Sequence, residues 1–251
     1  MKLAKREQKI IGLLESRGEI SVSELSGLLG VSESTLRKQL AVMAENGYLI
    51  RTYGGVMSVN RVPDETFESK LHKNMAEKHR IAEQARKLVP KGSSVALGSG
   101  TTVYALSTLL DDLGQGVFYS NSMQAADYLA HSAGLESHIC SGIVRSQTGT
   151  VIGSEAVEYF RGLKQVDFAF IGCDAIDAGG DVLSDSLSVA TAEQAILLCA
   201  RRRYILCDSS KIGQSAVARI TNLRDCDGLI TGREESGLAE RFRTLTEVFC
   251  V

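Results

Sequence analysis

From residue 93 onward, short apolar runs alternate with segments of helical pattern, and this alternation constrains the chain more than any other feature. Ser94 to Leu97, Val117 to Tyr119, Ser137 to Cys140, Phe168 to Ile171, Tyr204 to Cys207 and Leu229 to Ile230 read as buried strands. Residues 101–110, 122–131, 154–163 and 191–202 between them read as helices. Parallel strands need long crossovers, so this rhythm predicts an α/β fold with a mostly parallel sheet covered on both faces. Open sheets of that kind bind ligands at the carboxyl ends of their strands. Those ends are polar here: Gly98-Ser99-Gly100-Thr101-Thr102, Ser120-Asn121-Ser122, Ser141-Gly142, Gly172-Cys173-Asp174 and Asp208-Ser209-Ser210-Lys211.

The first of these loops is the best anion-site candidate. It follows a strand and opens a helix. Its glycines let backbone N–H groups approach a phosphate, and Thr101 and Thr102 add hydroxyls. Val103 stands where a dinucleotide fingerprint needs its third glycine, and no Gly-Lys-Ser/Thr follows as in a Walker A loop. The plain alternative is a glycine-rich strand-to-helix turn. Lys211 can supply counter-charge to an anion, or can simply be a solvated lysine.

The first quarter of the chain has a different pattern. Arg6 to Glu15 places Ile10, Leu13 and Leu14 at helical spacing, and Gly18 breaks that helix. Ser21 and Glu24 form a capping-box pair opening a helix with Leu25, Leu28 and Leu29 inward, and Gly30 turns the chain. Ser32 N-caps a third helix, in which Leu36, Leu40 and Met43 make one buried stripe. Ser34, Arg37, Lys38 and Ala41 then face away, with Thr35 and Gln39 at the flank. A face of short polar groups and two cations suits phosphates and base edges. Gly47 ends the helix as a left-handed cap. Tyr48 to Thr52 alternates like a strand, Gly54-Gly55 turns, and Val56 to Val59 returns, with Arg51 and Tyr53 on the hairpin. Two short helices around a glycine turn, followed by a hairpin, predict a winged helix-turn-helix. Residues 1–58 carry eight Lys and Arg against six Asp and Glu, a net of +2. Bulk charge is therefore weak evidence for DNA, and the placement of Arg37 and Lys38 carries the reading.

Composition bounds the rest. At 251 residues the chain suits a small domain and a larger one, and 44% hydrophobic residues is ordinary for a globular protein. No apolar run is long enough to span a bilayer and no signal peptide is legible, so cytoplasmic residence is expected. The six cysteines (Cys140, Cys173, Cys199, Cys207, Cys226 and Cys250) include no C-x-x-C pair, and the four histidines show no H-E-x-x-H spacing. Neither a disulfide framework nor a metal site is expected, and no cofactor is implied. Cys140, Cys173 and Cys207 fall at strand ends, where they can line a pocket. Pro63, one of two prolines, sits in the polar run NRVPDET. It marks the boundary: residues 1–58 for DNA, 59–72 as linker, and 73–251 for effector binding and oligomerisation. A helix with Met75, Ile81, Ala82, Ala85, Leu88 and Val89 in one stripe follows, ending at Pro90.

These motifs resemble the DeoR/GlpR family of bacterial sugar-metabolism regulators over nearly the whole chain. The N-terminal pattern stands here as Val31-Ser32-Glu33-Ser34-Thr35-Leu36-Arg37-Lys38-Gln39-Leu40, then Gly47, then Arg51-Thr52-Tyr53-Gly54-Gly55. Downstream, the motifs stand as Gly100-Thr101-Thr102, Ser120-Asn121-Ser122, Ser141-Gly142 before Arg145, Phe170 to Ile176, and Asp208 to Gly213. The resemblance implies that the second domain folds like ribose-5-phosphate isomerase and binds a phosphorylated sugar or related metabolite. By motif, Gly98, Ser99, Gly100, Thr101, Thr102, Asn121, Ser122, Gly142, Arg145, Gly172, Asp174 and Lys211 are the effector residues. Ser32, Ser34, Thr35, Arg37, Lys38, Gln39, Arg51 and Tyr53 are the DNA residues.

Three positions depart from the family pattern. Gln39 stands where an Asp is usual, Gly98 where an Asp often precedes S-G-T-T, and Leu197 where a Lys often follows the Glu193 motif. Gln39 can alter operator preference, because an amide donates as well as accepts. Gly98 and Leu197 remove one polar and one cationic ligand, which suggests a smaller, less charged or differently held effector.

The isomerase likeness raises an enzyme alternative. Asp174 and Asp177 are paired acids of the kind that move protons beside a carbonyl. The Lys-Gly-rich run that follows such a pair in the enzyme is replaced here by Leu183-Ser184-Asp185-Ser186-Leu187-Ser188, so no catalytic residues are expected. Asp177 reads more simply as a turn residue. The expected protein is a repressor that binds operator DNA as a homodimer or tetramer, with no membrane partner, and is relieved by a sugar phosphate.

Overall fold

Apolar side chains every three or four residues shape the first part of the chain. The computed structural model describes residues 5–17, 19–45, 48–51, 55–58 and 66–251. They fall into two units, Met1–Glu65 and Thr66–Val251. In the first, α1 (Lys5–Arg17), α2 (Val22–Leu29) and α3 (Glu33–Glu45) close one core around Ile10, Leu14, Leu25, Leu36, Leu40 and Met43. Each such burial contributes about 1.5–3 kcal/mol. Ser21 caps α2 by accepting the Glu24 N–H at 3.1 Å, and Gly30 ends it in a left-handed conformation. Leu28, expected inward, is 43% exposed. Val22, Leu25 and Leu29 form the stripe at i, i+3 and i+7, and Leu28 lies about 100° off it.

The wing has three strands where two were legible. β1 (Glu19–Ser21), β2 (Leu49–Arg51) and β3 (Gly55–Ser58) pair antiparallel in the order β1-β3-β2. A three-residue strand between two helices carries too little alternation to be read in advance. β3 lies so close to β1 that a Cβ on Gly55 would sit 2.4 Å from the Ile20 carbonyl oxygen and 2.9 Å from Ser21 Cα. Gly18, Gly47, Tyr53, Gly54 and Pro63, which mark the expected helix stop, cap, wing tip and linker, lie outside the described residues.

The second unit runs α4 (Phe67–His72), α5 (Met75–Arg86), β4 (Ser94–Leu97), α6 (Thr101–Ser107), β5 (Gly116–Ser120), α7 (Met123–Ala130) and β6 (Leu135–Ile139). Then come β7 (Ile143–Val144), β8 (Val151–Ile152), α8 (Ser154–Gly162), β9 (Val166–Ile171), β10 (Ala175–Ile176), β11 (Asp181–Ser184) and α9 (Leu187–Leu198). β12 (Ala200–Cys207), β13 (Ala218–Asn222), β14 (Gly228–Thr231), α10 (Leu238–Arg241) and β15 (Glu247–Cys250) complete it. The main sheet is parallel throughout, in the order β6-β5-β4-β9-β12-β14-β15. Strand residues alternate between its two faces. Ala96, Ile171, Ile205 and Leu229 pack on the side of α8 and α9. Val95, Leu97, Phe118, Phe170, Leu206 and Ile230 pack on the side of α5 and α6.

Four features differ from the sequence expectation. The stretch expected as linker up to residue 72 contains α4. The helix expected over 191–202 is α9, which ends at Leu198, because the chain from Ala200 pairs with β9 as a strand. Met75, placed in the buried stripe of α5, is 61% exposed at the start of that helix. The antiparallel sheet β10-β11-β13, the hairpin β7-β8 and the edge strand β15 were not legible, being mostly two to five residues long.

Because the atoms facing Gly55 are backbone and cannot turn aside, Gly55→Ala is expected to destabilise the N-terminal unit by about 1–3 kcal/mol. Urea unfolding followed by a probe in α3 checks this, and an unchanged midpoint would contradict the close packing of β1 on β3.

Candidate functional site

α3 presents one exposed polar face. Leu36, Leu40 and Met43 are no more than 1% exposed, which fixes the rotation of the helix. Ser32, Ser34, Thr35, Arg37 and Lys38 are consequently exposed, while Gln39 and Ala41 are half-buried at the edges. The Ser32 hydroxyl accepts the Thr35 N–H at 3.4 Å and donates to Thr35 Oγ1 at 2.9 Å, so it caps the helix. Arg37 forms an exposed i,i+4 ion pair with Glu33 at 3.1 Å. Such a pair is worth about 0.3–0.5 kcal/mol, little enough to give way to a phosphate or a base edge. Arg51 is exposed on β2, which packs against α3. The structure thus gathers six of the eight expected residues along one helix N-terminal half, with Arg51 on the adjoining wing.

In the second unit the strand order reverses beside β4. β5 and β6 lie on one side of it, β9 and the later strands on the other. Connections leaving β4 and β9 diverge there and open a crevice at the carboxyl ends. Gly98-Ser99-Gly100-Thr101-Thr102 and Gly172-Cys173-Asp174 lie on either side of this reversal. Gly172 sits against the Ser99 carbonyl, at 3.2 Å from where its Cβ would be.

Glu193 of α9 ties the first loop down. Its Oε1 accepts the Ser99 N–H at 2.9 Å, the Ser99 hydroxyl at 2.8 Å and the Asn121 amide at 3.4 Å. The Ser99 N–H is therefore engaged within the protein. Gly98 makes this possible, since a Cβ there would lie 2.1 Å from Glu193 Oε2. Glu193 is 2% exposed, and burial pushes its acid up to about 7, the donors at Ser99 and Asn121 opposing the rise and the charge of Asp174 adding to it. Leu197, one turn on, is buried in the apolar cluster.

Asp174 is held from three sides. Lys70 of α4 reaches it at 3.0 Å, the Ser184 hydroxyl at 3.0 Å and the Asp185 N–H at 2.9 Å. Burial raises its pKa, but the Lys70 charge and these donors outweigh burial, and the carboxyl titrates below its ordinary value of 3.8. The Thr101 hydroxyl donates to the Lys70 carbonyl at 3.5 Å, and buried Lys78 of α5 donates to the same carbonyl. At the other end of α4 the Phe67 N–H donates to the Gln147 carbonyl at 2.9 Å, bringing in the turn that carries half-exposed Arg145.

The remaining expected residues have structural duties. Ser122 is buried and caps α7 by accepting the Ala125 N–H, and Gly142 seats the β7-β8 hairpin. Lys211 is half-exposed on the loop after β12. That loop is anchored by Glu77, which accepts the Ser209 N–H at 2.6 Å, and by Asn74, which donates to Asp208 at 3.0 Å. Asp177 accepts the N–H groups of Gly179 and Asp181 at 2.8 and 2.9 Å, the turn role. Cys140 and Cys207 are buried, and Cys173 is half-buried. Among the described residues no group of three or more His, Cys, Asp or Glu side chains is placed to hold a metal ion. A cleft of about 180 Å³ runs along α6 beside Leu71, Lys78, Thr101 and Tyr104. It is smaller than the ~300–1,000 Å³ of ordinary ligand sites.

Sequence reasoning missed Lys70, Lys78 and Glu193. Each lies on a helix far in sequence from the loop it serves. Glu193 left one signal, the single charged residue in the stretch Ala190 to Leu198.

Two family models match the chain: the DeoR-like helix-turn-helix domain over residues 6–62 and the DeoR C terminal sensor domain over residues 73–233. A glycerol-3-phosphate regulon repressor from Haemophilus influenzae is 30% identical over 238 residues, 95% of this chain and 92% of that protein. A putative aga operon transcriptional repressor from Escherichia coli O157:H7 is 30% identical over 230 residues, 90% of this chain and 85% of that protein. Among solved structures, a ribose 5-phosphate isomerase A from Methanocaldococcus jannaschii matches 56% of this chain and 55% of its own, at 20% identity and a TM-score of 0.40.

Removing Lys70 leaves Asp174 with uncompensated burial. Lys70→Met is expected to cost the second unit about 1–3 kcal/mol at neutral pH. Asp174 has a depressed folded value, so its contribution is present above 3.8 and lost as pH falls through the folded value. Urea midpoints measured downward from neutral pH should therefore converge; a constant gap would disprove the assignment.

Proposed function

The chain belongs to the DeoR family of helix-turn-helix transcription regulators, and on that footing we propose that it represses a carbohydrate operon until a phosphorylated sugar occupies the β4–β9 crevice. It is a regulator rather than an enzyme, as its family is. One observation supports the effector reading: the loops leaving β4 and β9, with the cation Lys70 from α4, meet where the strand order reverses. Thr101, Thr102 and the α6 backbone face a phosphate, and Lys211 and Arg145 supply charge.

On DNA, α3 enters the major groove with Ser34, Thr35, Arg37, Lys38 and Gln39, and Ser32, Arg51 and Tyr53 contact the backbone or minor groove. Two-fold operators need paired recognition helices, so the working form is a homodimer or tetramer. No helix among the described residues is long and apolar enough to cross a membrane. The proposed setting is the cytoplasm, where operator and metabolite meet.

The coupling runs through α4. This helix is the first element described after the joining residues, and its side chains are held by the crevice itself: Lys70 on Asp174 and its carbonyl on Thr101. An anion that competes for Lys70 changes what holds α4, and therefore the chain leading to the DNA-binding unit. Only a difference in ligand affinity between the two states can shift them.

Arg37→Ala is expected to weaken operator binding by about 1–3 kcal/mol and leave effector affinity unchanged. Titration of labelled operator at two salt concentrations measures it, and unaltered affinity would remove Arg37 from the recognition set. For the effector, a panel of sugar phosphates is screened by thermal shift and by release of operator. If no member stabilises the protein or shifts operator affinity, the reading is wrong.

A further inference from the structure

Two buried oxygens at the base of the crevice have no donor. Glu193 Oε1 takes three hydrogen bonds, while Oε2 of the same carboxyl takes none among the described residues. Asn121 donates its amide to Oε1, while its own Oδ1 is likewise without a donor. Glu193 is 2% exposed and Asn121 wholly buried. Orphaned buried acceptors each cost about 1–3 kcal/mol, so two of them on a pair of side chains already hydrogen-bonded to each other call for a donor.

A single proton resolves both. Placed on Oε2, it makes that oxygen a donor, and Asn121 Oδ1 is the buried acceptor that lacks one. Together with the Asn121 amide on Oε1, this closes a cyclic acid–amide pair. We propose that Glu193 is held as a neutral acid paired with Asn121, and that this pair positions the Gly98–Thr102 loop by clamping Ser99. Glu193 is a positioning residue: it acts on the effector loop through Ser99. Its role in effector binding rests on the reading of the crevice given above; the pair itself does not.

The surroundings favour the neutral form. The charge of Asp174, after β9, reaches Glu193, and Cys140, after β6, is the other titrating neighbour. Lys70 from α4, the cation on this side, is engaged by Asp174. The other elements against α9 offer apolar groups: Val151 of β8, Phe160 of α8, Ile171 of β9, Val182 of β11, Ile205 of β12 and Ile220 of β13. Gly98 leaves the carboxyl its room. Burial moves the acid up to about 7 from an ordinary 4.5.

The sign follows. An acid whose folded value is raised stabilises the fold fully below the unfolded value, and this stability is lost as pH rises toward the folded one. Each pH unit between 4.5 and about 7 thus lowers the folded-to-unfolded ratio of this site up to about tenfold.

The test uses the full chain without ligand. Thermal and urea stability are followed from pH 5 to pH 8 for the natural protein and for Glu193→Gln. The glutamine amide can donate to Asn121 Oδ1 and its oxygen can accept from Ser99, so the variant keeps the clamp without the proton. The natural protein should lose stability relative to Glu193→Gln up to about pH 7 and run parallel above it. Parallel curves throughout would overturn the proposal. Should the variant fail to fold, carboxyl-carbon NMR of the natural protein decides: one glutamate titrating near 7 supports the pair, and none above the ordinary range refutes it. A failed sugar-phosphate screen would leave this result untouched, so the two readings fail separately.

Discussion

The reversal of strand order beside β4 is the constraint on which the second unit depends. A parallel sheet must carry its crossover helices on its faces, and the crossovers leaving β4 and β9 run in opposite directions. The loops leaving β4 and β9 therefore separate at the carboxyl edge and cannot cover one another. What fills the gap is side chain: Glu193 from α9 behind Gly98, and Lys70 from α4 against Asp174. The Lys70–Asp174 contact is charge-assisted and both contacts are partly or wholly desolvated, so they fix the loops more firmly than exposed hydrogen bonds would. A crevice made this way has a floor fixed by buried contacts and a rim formed in part by α4.

That part of the rim, α4, shows by its attachments how a small helix becomes part of a site. It has six residues and no fully buried side chain. Its own propensity cannot hold it, because short helices are marginal in water. It stays because Thr66 caps it, Lys70 reaches Asp174, the Lys70 carbonyl receives Lys78 and Thr101, and Phe67 meets Tyr104 edge-on at 5.4 Å. Most of these partners belong to the crevice or its walls. If the crevice is the effector site proposed above, an element stabilised mainly by its walls would respond to what binds there, which is the physical content of a switch.

Much of the architecture was legible because its signals are local. The stripe Leu36-Leu40-Met43 fixed which face of α3 is exposed, and the position of Arg37 and Lys38 followed. Runs such as Phe168 to Ile171 fixed strands, since a strand buried on both faces stays apolar at every position and a run this short is too brief for a buried helix. Polar loop tips were visible for the same reason. What escaped notice was short or non-local. β1 and the β10-β11-β13 sheet are too brief to alternate. The end of α9 was misplaced because its last turn and the start of β12 are both tolerant of helix. Leu28 was misassigned by one helical position.

The candidate site divides along the same line. The sequence by itself determined a DNA-reading unit ahead of a parallel α/β unit and the polar tips facing one sheet edge, because periodicity and turn chemistry act between near neighbours. Only the tertiary structure decided that Gly98 leaves room for Glu193, that Lys70 closes on Asp174 across 104 residues, and that Ser122 and Gly142 serve the fold. Burial and charge pairing depend on which distant segments meet in a low-dielectric interior, and no local pattern encodes that distance.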